Sequence, residues 1–100
     1  MGERVIRRFV IHGRVQGVGF RDWTRHVACG RRIVGWVRNR TDGSVEAVFA
    51  GSAEAVAGMI DACRTGPPSA RVESIDEYDA GASDLDLRRP NEGFSVLATA

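Results

Sequence analysis

The chain has 100 residues, 43% of them hydrophobic, enough for one compact domain with a real core and too ordered a composition for a disordered chain. Fourteen basic and thirteen acidic side chains leave a formal net charge of +1, which argues against a dedicated nucleic-acid binder relying on clustered cations. All the basic residues are arginines, so any anion site here uses guanidinium groups.

The opening MGERVIRRF carries charge and no apolar leader, and Met-Gly-Glu-Arg-Val-Ile lacks the Ser or Thr of a myristoylation signal. No apolar run approaches the roughly 18 residues of a membrane span. These features predict a cytoplasmic protein with its own start, no membrane association, and monomer as the default state. Cys29 and Cys63 lack metal-ligand spacing and are expected to be two buried free thiols.

Val5 to His12 is rich in β-branched and aromatic residues and reads as a strand. Phe20, Trp23, Val27 and Ala28 then recur on one face of a helix that should fade at Cys29-Gly30. Ile33 to Arg40 and Ser44 to Ala50 read as strands joined across Thr41-Asp42-Gly43, a hairpin signal. Ser52 is a candidate N-cap for a second helix, whose stripe is Ala53, Val56, Ala57, Ile60 and Cys63 and which Gly66-Pro67-Pro68 ends. Ala70 to Tyr78 reads as a strand, Asp79 to Asn91 as polar and irregular, and Gly93 to Ala98 as a short last strand. The order predicts an α+β fold: a ferredoxin-like βαββαβ sandwich over residues 1–100, two helices on one face of a mainly antiparallel sheet, the other face partly wet.

Between the first strand and helix lies HGRVQGVGFR, with three glycines in ten positions. The spacing fits neither a Walker loop nor a dinucleotide fingerprint. One reading is an ordinary strand-to-helix turn followed by a solvated arginine. The other is a nest of converging N–H groups at a helix N-terminus, with Gly17 and Gly19 best placed to shape it. Arg21 in the first helical turn opposes the helix dipole by about 0.3–1 kcal/mol, a penalty that a bound anion reverses. Gly35-Trp36-Val37-Arg38-Asn39 should alternate, with Gly35, Val37 and Asn39 on one face. Asn39 either starts the turn or uses its amide to hold a water.

Ile11 to Arg21, with Gly35-Trp36-Val37-Arg38-Asn39 followed by Gly43, Val45 and Gly51, resembles the two signatures of the acylphosphatase family, and Gly66-Pro67 and Phe94 extend the resemblance along the chain. The resemblance implies hydrolysis of a small acyl phosphate to a carboxylate and inorganic phosphate, with no cofactor, metal or covalent intermediate. It implies that Arg21 grips the phosphoryl group together with the N–H groups of Gln16, Gly17, Val18, Gly19 and Phe20, while Asn39 positions the water. The family's usual Leu-Gly pair aligns with Arg31-Arg32, which implies a lost core contact and a displaced helix end, with Gly30 stopping the helix early.

His12 is expected to be a strand-end residue, His26 solvent-facing, Trp23 and Trp36 packing residues, and Arg88-Arg89 part of a solvated loop. Arg7, Arg8, Arg14, Arg38 and Arg40 are expected to be mostly surface charge, with Arg14 placed where it could help attract anions. An RNA-binding module would need aromatics exposed on the central strands in a K/R-G-F/Y-G/A-F-V-like run, which SVEAVFA lacks. A regulatory relative that keeps the pocket, or a fragment of a larger carbamoyl-phosphate-handling protein, is the remaining alternative.

Overall fold

The computed structural model describes residues 3–100. Met1 and Gly2, where the start was read for a leader or lipid signal, lie outside the described residues. Five strands and two helices follow in the order β1 (Arg4–Arg14), α1 (Phe20–Gly30), β2 (Val34–Asn39), β3 (Val45–Ser52), α2 (Ala53–Thr65), β4 (Arg71–Asp79) and β5 (Phe94–Val96). The sheet order is β4-β1-β3-β2-β5, antiparallel throughout except for the parallel pair of β2 and β5. This is the expected α+β arrangement. Among the described residues no helix is long and apolar enough to cross a membrane.

Alternation along the strands creates the two faces. Phe9, Ile11, Val37, Val45, Ala47 and Phe49 point toward the helices and meet Phe20 and Ala28 of α1 and Val56, Met59, Ile60 and Cys63 of α2. Phe9 and Phe94 flank Phe49 with ring centroids 5.5 and 6.1 Å away. Each such large side chain withdrawn from water contributes about 1.5–3 kcal/mol, so this layer sets the fold. Ser52 caps α2 as expected, its hydroxyl accepting from the Ala55 N–H at 3.0 Å.

The opposite face is not simply wet. Residues 82–87 form a 3-10 helix that lays Leu85 on Trp36, Val48 and Ala50, and the Trp36 indole N–H donates to the Asp84 carbonyl at 2.7 Å. A single buried leucine in one short turn leaves no periodicity to read, so Asp79 to Asn91 looks irregular in sequence. Arg89 is exposed, as expected of a solvated loop, while the half-buried Arg88 side chain donates to the Leu85 carbonyl and the Arg89 backbone N–H donates to the Ser95 hydroxyl. Beside this patch, Arg8 and Arg38 both meet Glu46, at 3.1 and 2.8 Å, and stack on Tyr78 and Trp36 respectively. Glu46 is only 8% exposed, and two guanidinium partners are what allow a carboxylate there.

Two expectations need correction. Cys63 is buried, and burial pushes its thiol up to about 12, but Cys29 is exposed on the outer side of α1. Helix α1 does include Gly30 as its last residue, yet Gly30 does not supply the left-handed turn that follows. Arg32 does, at φ +58°, where a Cβ is unfavourable by about 1 kcal/mol. Arg31 lies against α2 at Gly58, where an added Cβ would stand 2.9 Å from its guanidinium nitrogen. Arg32→Gly is therefore expected to raise stability by about 0.5–1 kcal/mol, read as a higher denaturant midpoint at unchanged m-value.

Candidate active site

Strands β1 and β2 each pair antiparallel with β3, so they run parallel to each other and their C-terminal ends leave the sheet at the same edge. Ile11 and Asn39 both pair with Val45, which sets the two strand ends level on either side of β3. The loop after β1 and the turn after β2 consequently face one another.

The β1–α1 loop turns on Gly17 and Gly19, at φ +73° and +79°. No neighbour would obstruct a Cβ at either position, so these glycines serve backbone torsion rather than space. Gly19 is the residue before α1, and among the described residues no side chain caps that helix. The first N–H groups of α1 thus keep their donor capacity and the positive end of the dipole. Arg21, half-buried in the first turn, is in no ion pair among the described residues.

Val15, Gly17, Gly19, Phe20, Arg21, Asp22 and Asn39 line one cleft of about 90 Å³. Across it, Asn39 has its backbone fixed on both edges: it pairs with Val45 on one side, and its carbonyl accepts from the Ala100 N–H at 3.0 Å on the other. Its side chain is different, because Oδ1 is buried without a hydrogen-bond partner among the described residues. An unpaired buried acceptor costs about 1–3 kcal/mol, so a tolerated one suits a ligand O–H.

The residues singled out in sequence are thus only partly gathered here. Gly17, Gly19, Phe20, Arg21 and Asn39 line the cleft; Gln16 and Val18 do not. Val18 packs against the main core. The Gln16 side chain turns away and donates to the carbonyls of Arg40 and Ser44, at 2.8 and 2.9 Å, tying the loop to the β2–β3 turn. Sequence reasoning missed that tie, as well as the lining by Val15 and Asp22. The turn is further held by Asp42, whose carboxylate accepts from the Ser44 hydroxyl and N–H, bonds that keep its pKa below the ordinary value. His12, at the strand end, is 3.0 Å from Asp76 rather than in the cleft.

The acylphosphatase family model matches residues 7–95. The chain is 55% identical over 96 residues to an acylphosphatase of Bradyrhizobium diazoefficiens, covering 96% of this chain and 97% of the relative. It is 57% identical over 95 residues to one of Nitrobacter winogradskyi, covering 95% and 96%. Among solved structures, the acylphosphatase of Bacillus subtilis superposes with a TM-score of 0.80 at 32% identity, covering 93% of this chain and 98% of the other.

Gln16→Ala removes both side-chain bonds between loop and turn, while the Arg40 and Ser44 carbonyls keep their backbone donors, the N–H groups of Gly43 and Arg40. A loss of about 1–2 kcal/mol in stability is expected, with faster amide exchange at Gln16–Phe20 and Arg40–Ser44. Because the Asp42 pKa is depressed in the fold, its contribution to the turn is complete above the ordinary carboxylate range and is lost as pH falls through the depressed value. Exchange at Ser44 should accelerate only at that acidic end, and in Asp42→Ala at every pH.

Proposed function

The chain belongs to the acylphosphatase family and is a hydrolase acting on acyl phosphates; from that premise we propose that its cleft performs the reaction with the glycine loop, Arg21 and Asn39 alone. The observation that carries this reading is the unpaired Asn39 Oδ1, buried in the same cleft as an unpaired guanidinium and an uncapped helix start.

The N–H groups of Gln16, Gly17, Val18, Gly19 and Phe20 and the Arg21 fork hold the three peripheral oxygens of the phosphoryl group. Backbone donors need only their N–H groups to face the anion, so Gln16 and Val18 serve while their side chains are engaged elsewhere. Phosphoryl transfer spreads negative charge over those oxygens, and fixed donors stabilise it without reorganising.

Asn39 Oδ1 accepts one O–H of the attacking water and aims its lone pair at phosphorus, opposite the acyl oxygen. As the new P–O bond forms, the bond from phosphorus to the acyl oxygen breaks and a carboxylate leaves. An amide is no base at neutral pH, so the water's proton passes to a phosphoryl oxygen. Carboxylate is a good leaving group, and neither a general acid nor a metal ion is required. Two free thiols, one of them exposed, accord with a reducing, cytoplasmic setting.

Hydrolysis of benzoyl phosphate tests the assignment. Wild-type turnover should be unaffected by EDTA. Arg21→Ala should lose both phosphate affinity and activity, the latter by about a thousandfold. Asn39→Ala should lower kcat by about a hundredfold or more while phosphate affinity stays within about threefold. Loss of phosphate affinity in Asn39→Ala would refute this division of labour.

A further inference from the structure

We propose that Arg14 and Arg71 form a second anion subsite beside the phosphate cleft, which takes a carboxylate or phosphate carried on the acyl part of the substrate. The proposal rests on reading the Arg21 cleft as the phosphoryl site and specifies which acyl phosphates that site favours.

The β1–β4 pairing runs regularly from Arg7↔Asp79 to His12↔Ser74 and then shifts, so that Gly13 pairs with Val72 and Arg14 with Arg71. Glu73 is the extra residue of a β-bulge. In the unshifted register Arg14 would have faced Val72; the bulge brings a second arginine opposite it instead. Gly13 makes the shift feasible: at φ +127°, a Cβ there would run into the Arg71 carbonyl and stand 2.8 Å from the Glu73 nitrogen.

Like charges directly opposite on neighbouring strands destabilise a sheet. Elsewhere in this sheet the arginines avoid that arrangement: Arg7 meets Glu77 and Asp79, and Arg8 and Arg38 meet Glu46. Arg14 and Arg71 have no ion-pair partner among the described residues, and Glu73 pairs with neither.

Both arginines are exposed and line a recess of about 510 Å³ with Pro68, Ser69 and Ala70. That lining offers two guanidinium forks and a hydroxyl and contains no carboxylate, the donor set for a carboxylate or phosphate. The next residue after Arg14 is Val15, which lines the phosphate cleft, so one short backbone segment serves both recesses. A substrate with its phosphoryl group in the cleft and a second anion on its acyl chain satisfies both.

The test compares benzoyl phosphate with para-carboxybenzoyl phosphate in wild type and in the double variant Arg14→Gln, Arg71→Gln. Wild type should favour the carboxylated substrate in kcat/KM by about fivefold, and the variant should lose that preference while hydrolysing benzoyl phosphate within about twofold of wild type. Equal losses on both substrates would show general attraction of anions and overturn the subsite, as would an unchanged preference. Phosphonopropionate and ethylphosphonate, titrated against the arginine Nε signals by NMR, give a readout that needs no turnover. Tighter binding of phosphonopropionate, lost in the variant, supports the subsite; equal binding of the two overturns it. Absence of benzoyl phosphate turnover by folded wild type would count against the proposed mechanism, and the titration would still decide the subsite.

Discussion

The Gln16 side chain joins two segments that are far apart in sequence and must be close for any chemistry to occur. Its amide donates to the carbonyls of both Arg40 and Ser44, the residues that open and close the β2–β3 turn. The glycine loop is thereby fastened to the strand end that carries Asn39. The sheet brings these segments to the same edge, but loops at a strand edge have the freedom to drift. A drift of about 1 Å is enough to impair catalysis by positioning. The tie fixes the separation between the group that would hold phosphate and the group that would hold water.

Around that tie, the site depends on groups left without partners inside a fold that otherwise satisfies its groups well. Arg8 and Arg38 share the Glu46 carboxylate on the far face of the sheet, and Trp36 finds a carbonyl. In the cleft, by contrast, among the described residues α1 has no side-chain cap, Arg21 no ion-pair partner and Asn39 Oδ1 no donor. Each is unfavourable alone. Gathered in one small cleft, they are the observations on which the proposed anion and water sites rest. The rigid core beneath, from Phe9 to Met59, offsets their combined cost.

Much of this was legible in sequence, for identifiable reasons. Gly17, Gly19 and Arg21 lie within one short run, and a backbone that needs positive φ names its residues locally. Asn39 stood out because asparagine is uncommon in strands. What escaped was long-range or single. Gln16 reads as one more loop polar residue until its bonds across 24 and 28 residues are seen. Leu85 covers Trp36 from a turn too short to show a period. Arg32 holds a left-handed conformation that a sequence would assign to glycine, because the helix end is dictated by the packing of Ala28 and Ile33 on either side. Cys29 is exposed although its neighbour Ala28 is fully buried, because one step along a helix turns a side chain by about 100°, and cysteine number and spacing carry no such facing information.

The central claim is that backbone N–H groups at the start of α1, together with Arg21, bind a phosphoryl group. Titration of the ¹⁵N-labelled protein with inorganic phosphate tests it most directly. The account predicts saturable downfield shifts of the Gln16 to Phe20 amide protons and of Arg21 Nε, with the Asn39 side-chain amide responding less. Shifts centred elsewhere, such as the Arg25, His26 and Cys29 face of α1, or no saturable shift in this loop, would contradict it.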